Sequence, residues 1–161
     1  MDIHERYNEY QLYMGYLKAN PNDQKFLQRL RSIINQRQLV SCMNDTKWIK
    51  LLCAIEQLDF PPAFIVKRVT EAVDVESESL FCSQIPHYWG NWQPFYKEAM
   101  PIFIDIEYTF VQPRLAKYQG RLIDDLIIDL SEQFKAILIE LNIPYVMEMQ
   151  CFKICAYQTT Q

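Results

Sequence analysis

Two successive prolines, Pro61 and Pro62, divide this sequence into a helical part and an alternating part. Proline fixes its own backbone, donates no hydrogen bond and disfavours helix in the residue before it, so no regular element can run through the pair. Before it, apolar residues recur every three or four positions. Ile3, Tyr7, Tyr10, Met14 and Leu17 predict a first helix that stops at Asn20-Pro21. Asp23 is placed to cap a second, with Phe26, Leu27, Leu30, Ile33 and Ile34 on its apolar face and Lys25, Arg29, Arg31 and Arg37 mostly on its wet one. These two should form an antiparallel pair. A third helix opens at Asn44 or Asp45 and carries Trp48, Leu51, Leu52, Ile55 and Leu58 on one face before Asp59-Phe60-Pro61-Pro62 ends it.

Beyond the prolines, the β-branched run Phe64 to Thr70 reads as a strand, followed by an acidic turn through Asp74, Glu76 and Glu78. The strongest strand signal is the alternation of Ile102, Ile104, Ile106, Tyr108 and Phe110 with Phe103, Asp105, Glu107 and Thr109. It predicts a sheet with one face toward a core, and with Asp105 and Glu107 on the face open to solvent. A helix from about Asp124 to Leu141, striped by Ile127, Leu130, Phe134, Ile137, Leu138 and Leu141, is the expected cover, with Asp124, Asp125 and Asp129 at its cap, first turn and wet side. Two short strands, about Tyr145 to Met149 and Phe152 to Tyr157, close the chain as a hairpin.

Strands segregated from helices and joined by short connections give an α+β fold: a mostly antiparallel sheet covered on one face by helices, with an N-terminal helical pair. At 161 residues one core is the expectation. Residues 1–161 are read as one domain, in which 1–42 form a helical extension that shares no strand with an α+β core of 43–161.

Several function classes are disfavoured on composition. No stretch of about 18 uncharged apolar residues is present, and the N-terminal segment lacks the basic start and apolar run of a signal peptide, so a cytoplasmic protein without membrane association is expected. Net charge is −4 and no Lys/Arg cluster or glycine-rich phosphate loop appears, which disfavours direct nucleic-acid binding. Five cysteines, Cys42, Cys53, Cys82, Cys151 and Cys155, lack paired spacing and read as reduced, buried thiols; no metal or cofactor is expected.

Catalytic groups fail to converge in the sequence. His87 lies in an aromatic loop, Ile85 to Tyr96, bounded by prolines, with no serine or cysteine beside it in a nucleophile context. A small hydrolase using His87 and nearby carboxylates is the rival reading. Tyr88, Trp89, Trp92, Phe95 and Tyr96 in the same loop either close over an end of the core or stay exposed, and tyrosine and tryptophan are the residues most enriched in binding hot spots. Asp105, Glu107 and, from a neighbouring strand, Glu148 would form an acidic patch suited to meeting a basic partner. Asp105, Glu107, Glu148, Trp89, Trp92 and Tyr88 are therefore the candidate partner-binding residues, with no catalytic set.

The stretch Asn44-Asp45-Thr46-Lys47-Trp48-Ile49-Lys50-Leu51-Leu52, followed by Pro61-Pro62-x-Phe64-x-Val66-Lys67, resembles the opening of an uncharacterised family of small bacterial domains. Its later marks are similar to the Trp89–Trp92 loop, the strand Ile104-Asp105-Ile106-Glu107 and the closing helix and hairpin, covering about residues 43–158. In size, acidity and lack of catalytic motifs such proteins resemble the immunity proteins of bacterial polymorphic-toxin and contact-dependent inhibition systems. That resemblance implies a cytosolic protein that binds a cognate toxin domain, a nuclease, and occludes its active site or substrate surface. A regulatory subunit with a different partner is the remaining alternative.

Overall fold

A computed structural model describes residues 2–93 and 99–159. The chain is an α+β fold with an N-terminal helical pair, as its periodicity predicts. Helices α1 (Ile3–Ala19) and α2 (Pro21–Gln36) meet at Asn20. The Asn20 side chain accepts from the backbone N–H groups of Asn22 and Asp23, so the second helix is capped by Asn20 with Pro21 in its first turn, and not by Asp23. Helix α3 (Asp45–Ile55) is capped by Asn44, whose Oδ1 accepts from Lys47 N–H at 2.8 Å.

After the prolines, β2 (Ala63–Arg68), β3 (Ile106–Gln112), β7 (Cys151–Cys155) and β6 (Val146–Glu148) make an antiparallel sheet in the order β2-β3-β7-β6. The expected closing hairpin is β6–β7. Its two-residue turn holds Met149 at φ 52° and Gln150 at φ 66°, both left-handed. One sheet face, carrying Phe64, Val66, Val111, Phe152 and Ile154, packs on Trp48, Leu51 and Leu52 of α3 and on Phe134 and Leu138 of α5 (Ser131–Glu140). Tyr10 joins the same core and stacks on Phe103 at 4.4 Å between ring centroids.

Five expectations need correction. The strand signal at Ile102 begins later, because Phe103–Asp105 form a 3-10 turn before β3. At the start of β3 a register shift pairs Lys67 with Tyr108 but Arg68 with Ile106, a bulge that reverses parity. Ile106 therefore shares the helix-covered core with Val111, whereas Tyr108 and Phe110 lie on the opposite face. That face is not simply open: the segment read as an acidic turn is α4 (Val75–Ser83), capped by Asp74, and its Phe81 and Cys82 pack against Tyr108, Phe110 and Cys151.

The expected long helix from Asp124 divides into a strand and a shorter helix. Leu126–Asp129 is β5, paired antiparallel with β4 (Arg114–Lys117), and only Ser131 begins α5. Asp129 accepts from Ser131 N–H at 2.9 Å at the junction, while Asp124 and Asp125 belong to the β4–β5 connection. Finally, the N-terminal 42 residues do share a strand with the remainder: β1 (Leu39–Ser41) pairs with β8 (Tyr157–Thr159). Leu27 and Leu30 of α2 complete a second cluster with Val69 and Ile102.

Candidate partner-binding surface

The double proline that ends the helical part also fixes the aromatic loop. Gly90 N–H donates to Pro61 O at 3.0 Å, and Trp92 Nε1–H donates to Pro62 O at 2.7 Å. A Cβ on Gly90 would stand 2.0 Å from Pro62 O, so only glycine permits this approach. Trp92 lies against Phe64 with ring centroids 4.5 Å apart and is 6 % exposed. It is a core anchor, in correction of its expected place at an interface. Holding the loop at Gly90 and Trp92 leaves Tyr88 and Trp89 turned outward, 56 % and 62 % exposed. Phe95 and Tyr96 lie outside the described residues.

The upstream end of the loop is tied to the β4–β5 ribbon. Ala116 N–H donates to Pro86 O at 2.9 Å, and His87 Nε2 lies 2.9 Å from Asp125 Oδ2. The histidine thus meets a carboxylate of the hairpin, whereas Asp105 and Glu107 are engaged elsewhere. The convergence expected of a hydrolase, His87 beside Asp105 or Glu107, is not the arrangement these residues adopt.

The carboxylates of the best strand are internal. Asp105 is fully buried and accepts from Thr70 N–H and Oγ1–H at 3.3 and 3.1 Å, with Arg68 Nη1 at 3.9 Å. Burial pushes its carboxyl above the usual range despite those hydrogen bonds. Glu107 accepts from Lys67 Nζ at 2.8 Å and from Arg37 Nη2 at 3.0 Å. Burial alone would raise its carboxyl too, but the hydrogen bonds and charges of Arg37 and Lys67 win and hold it below the ordinary value. The alternation places both on a solvent face; instead Asp105 lies in the 3-10 turn against Thr70 and Arg68, and Glu107, at the bulge, is held between Lys67 and Arg37. Glu148 is exposed as expected and lies 3.2 Å from Lys153 Nζ, which sits 4.4 Å above the Tyr108 ring. The acidic patch of three therefore does not assemble.

Between α4 and the sheet lies a groove of about 710 Å³, bordered by Ile65, Lys67, Arg68, Glu78, Tyr108 and Phe110. Its polar groups are largely committed to one another: Tyr108 donates to Glu78 Oε2 at 2.6 Å, and Lys67 to Glu107. Burial and then this bond to Glu78 push the Tyr108 hydroxyl well above its ordinary value, so the phenol stays protonated.

What sequence reasoning missed is the apolar character of the β4–β5 ribbon. Leu115 and Ile128 pack inward with Phe60 and Leu130. Towards its tip the ribbon exposes Tyr118, Leu122, Ile123, Leu126 and Ile127, with Leu122 99 % exposed. The signal was available in Leu126-Ile127-Ile128, but a short apolar run fits a helix stripe as readily as a strand.

A family model matches residues 30–161, 132 of the 161 positions, and is described as a family of unknown function, DUF6678. The chain belongs to this family. The DUF6678 match begins within α2 and takes in β1 to β8 of the described residues, the aromatic loop and the ribbon. No curated protein and no solved structure is significantly similar to the chain. Among the described residues, no helix is long and apolar enough to cross a membrane.

Proposed function

We propose that this chain is an immunity-type protein of the bacterial cytoplasm, which binds a cognate toxin domain, a nuclease, and occludes its active site or substrate surface. The observation that carries the reading is the pair Tyr88 and Trp89, exposed on a loop that is anchored on either side of them, at Pro86, Gly90 and Trp92. Large aromatics exposed on a rigid support supply binding energy at little entropic cost, and they serve association better than turnover. The negative charge of the protein suits a partner that itself binds nucleic acid, since such a partner is basic.

The test is co-expression with the product of the gene immediately beside this one, followed by isothermal titration of the two purified proteins. Rescue of growth together with a 1:1 complex of submicromolar Kd is expected. A neighbour that is harmless, or toxic with and without this protein, counts against the reading. Trp89→Ala should weaken a genuine complex at least tenfold, mainly through faster dissociation.

A further inference from the structure

We infer that Cys82 of α4 and Cys151 of β7 are a dithiol pair that closes reversibly to a disulfide, tethering α4 to the sheet and limiting how far the groove beneath it opens. The device lies within the fold and operates whichever partner the chain has.

Position marks the pair. Helix α4 has nine residues, six of them exposed, and Cys82 is its one buried residue. Against it, in a cluster completed by Tyr108 and Phe110, lies Cys151, and the two thiols hydrogen-bond to each other. Cys151 is fully buried, and its sulfur also accepts from Gln112 Nε2 at 3.6 Å. An aliphatic side chain would serve packing alone, yet both halves of this contact are thiols. Cys155 borders the same cluster, but it stands four residues along β7 from Cys151, a rise of about 13 Å. A disulfide needs Cα atoms within about 7 Å, so Cys155 is no substitute for Cys82 as the partner of Cys151.

The oxidant is a low-molecular-weight disulfide, RSSR. While α4 is seated, burial holds both thiols above their ordinary range, and a protonated thiol does not attack. The seat is shallow, however. Among the described residues, Phe81 and Cys82 are the apolar side chains that α4 packs on the sheet, helped by the bond from Tyr108 to Glu78. A short helix with so little buried surface opens locally far more readily than the whole domain unfolds. In the seated pair Cys151 donates to Cys82, which favours loss of the proton from Cys82, and Cys82 is also the thiol that α4 carries outward. Its thiolate attacks one sulfur of RSSR, giving Cys82–S–SR and RS−. When α4 reseats, the Cys151 thiolate displaces a second RS− and the Cys82–Cys151 bond forms. The two thiol protons end on the two leaving thiolates: the protein gives up two electrons and two protons, and RSSR becomes two RSH. The bond removes the open states of α4, and it constrains the unfolded chain between residues 82 and 151.

The test incubates the reduced full-length protein with glutathione disulfide and maps the products by intact mass and by non-reducing peptide mass spectrometry. The expected product has lost two hydrogen atoms, carries a Cys82–Cys151 cross-link, and returns to the dithiol with dithiothreitol. Amides of α4 should exchange at least tenfold more slowly in the oxidised form, and its thermal midpoint should be higher by at least about 3 °C. Cys151→Ala should instead accumulate glutathione on Cys82, because the thiol that resolves the mixed disulfide is gone. Cys42→Ser with Cys155→Ser, at two partly exposed positions outside the pair, should leave the cross-link unchanged. Circular dichroism verifies that each variant is folded. Cys82 and Cys151 remaining reduced, whether or not Cys42, Cys53 or Cys155 takes up glutathione, overturns the inference. So does a cross-link that forms in urea and not in the folded protein, or one that leaves exchange in α4 as fast as before.

Discussion

Glu107 shows how one carboxylate changes meaning with its surroundings. On an open strand face its removal would hardly affect stability; as built, it holds Lys67, whose side chain is 7 % exposed, and Arg37 from the helical pair. Truncating one member of a buried ion pair strands the other, at a cost of about 3 kcal/mol. Glu107→Gln should therefore destabilise the protein by roughly that amount at pH 7, and Lys67→Met added to it should recover part of the loss. The pH dependence follows from the direction of the shift. Because folding depresses this carboxyl below 4.5, its contribution is present above that value and is lost as pH falls through the folded-state value. Asp105 has the opposite sign: folding raises it above 3.8, so it favours the folded state at low pH and ceases to do so as pH rises through its folded-state value. Urea unfolding of wild type and Glu107→Gln from pH 7 to pH 3 checks this. The gap between the two should close at the acid end, and a gap independent of pH would mean that the Arg37 and Lys67 contacts contribute little.

Which elements could be read from sequence depended on how many physical signals each one carried. Helices α1 to α3 had period together with a cap or a stop, and α1 ends at Asn20-Pro21 and α3 begins at Asn44 as those residues dictate, whereas α3 ends at Ile55, well before Pro61-Pro62, and α2 is capped one turn earlier than expected. Strand β3 had only alternation, which a bulge at Lys67/Arg68 silently reverses, so the strand was legible and its faces were not. The three-residue strands β1 and β8 are defined by each other across the whole chain and carry no local signature. Of the candidate site, Glu148 lies at the surface as expected and Tyr88 and Trp89 take the exposed one of the two positions the sequence left open, whereas the ribbon was hidden inside a helix-like stripe. The β6–β7 turn is an element in which the sequence disagrees with its own backbone, since Met149 and Gln150 both adopt left-handed angles that side chains with a Cβ resist. Met149→Asn with Gln150→Gly supplies the residues this turn prefers. It should add about 1 kcal/mol and raise the melting temperature by roughly 2–4 °C in calorimetry. A lower midpoint would show that the Met149 side chain contributes more than its backbone costs.

The N-terminal helices decide whether the chain unfolds as one body. Far from being an extension that shares no strand with the rest, the first 42 residues join it at four separate places. Tyr10 sits in the main core between α3 and the sheet, its hydroxyl accepting from Phe103 N–H at 3.3 Å. Leu27 and Leu30 bury Val69 and Ile102. Arg37 reaches Glu107, and β1 supplies β8 with its hydrogen-bonding partner. Removing residues 1–42 would open a hole at Tyr10 and uncover an apolar cluster, and it would also free a strand edge and break a buried charge network. Losing a buried aromatic alone costs about 3–5 kcal/mol, a large fraction of the roughly 5–15 kcal/mol by which a domain is stable. The truncated chain should consequently lose its cooperative transition, and not merely shift it. Removing residues 1–20 should leave a folded protein with a lower midpoint, because α2, β1 and Arg37 are retained. Thermal unfolding followed by near-ultraviolet circular dichroism compares the three chains. A sharp transition at the wild-type midpoint in the chain lacking 1–42 would mean that residues 43–161 form a complete core and that the helical pair is carried on its surface.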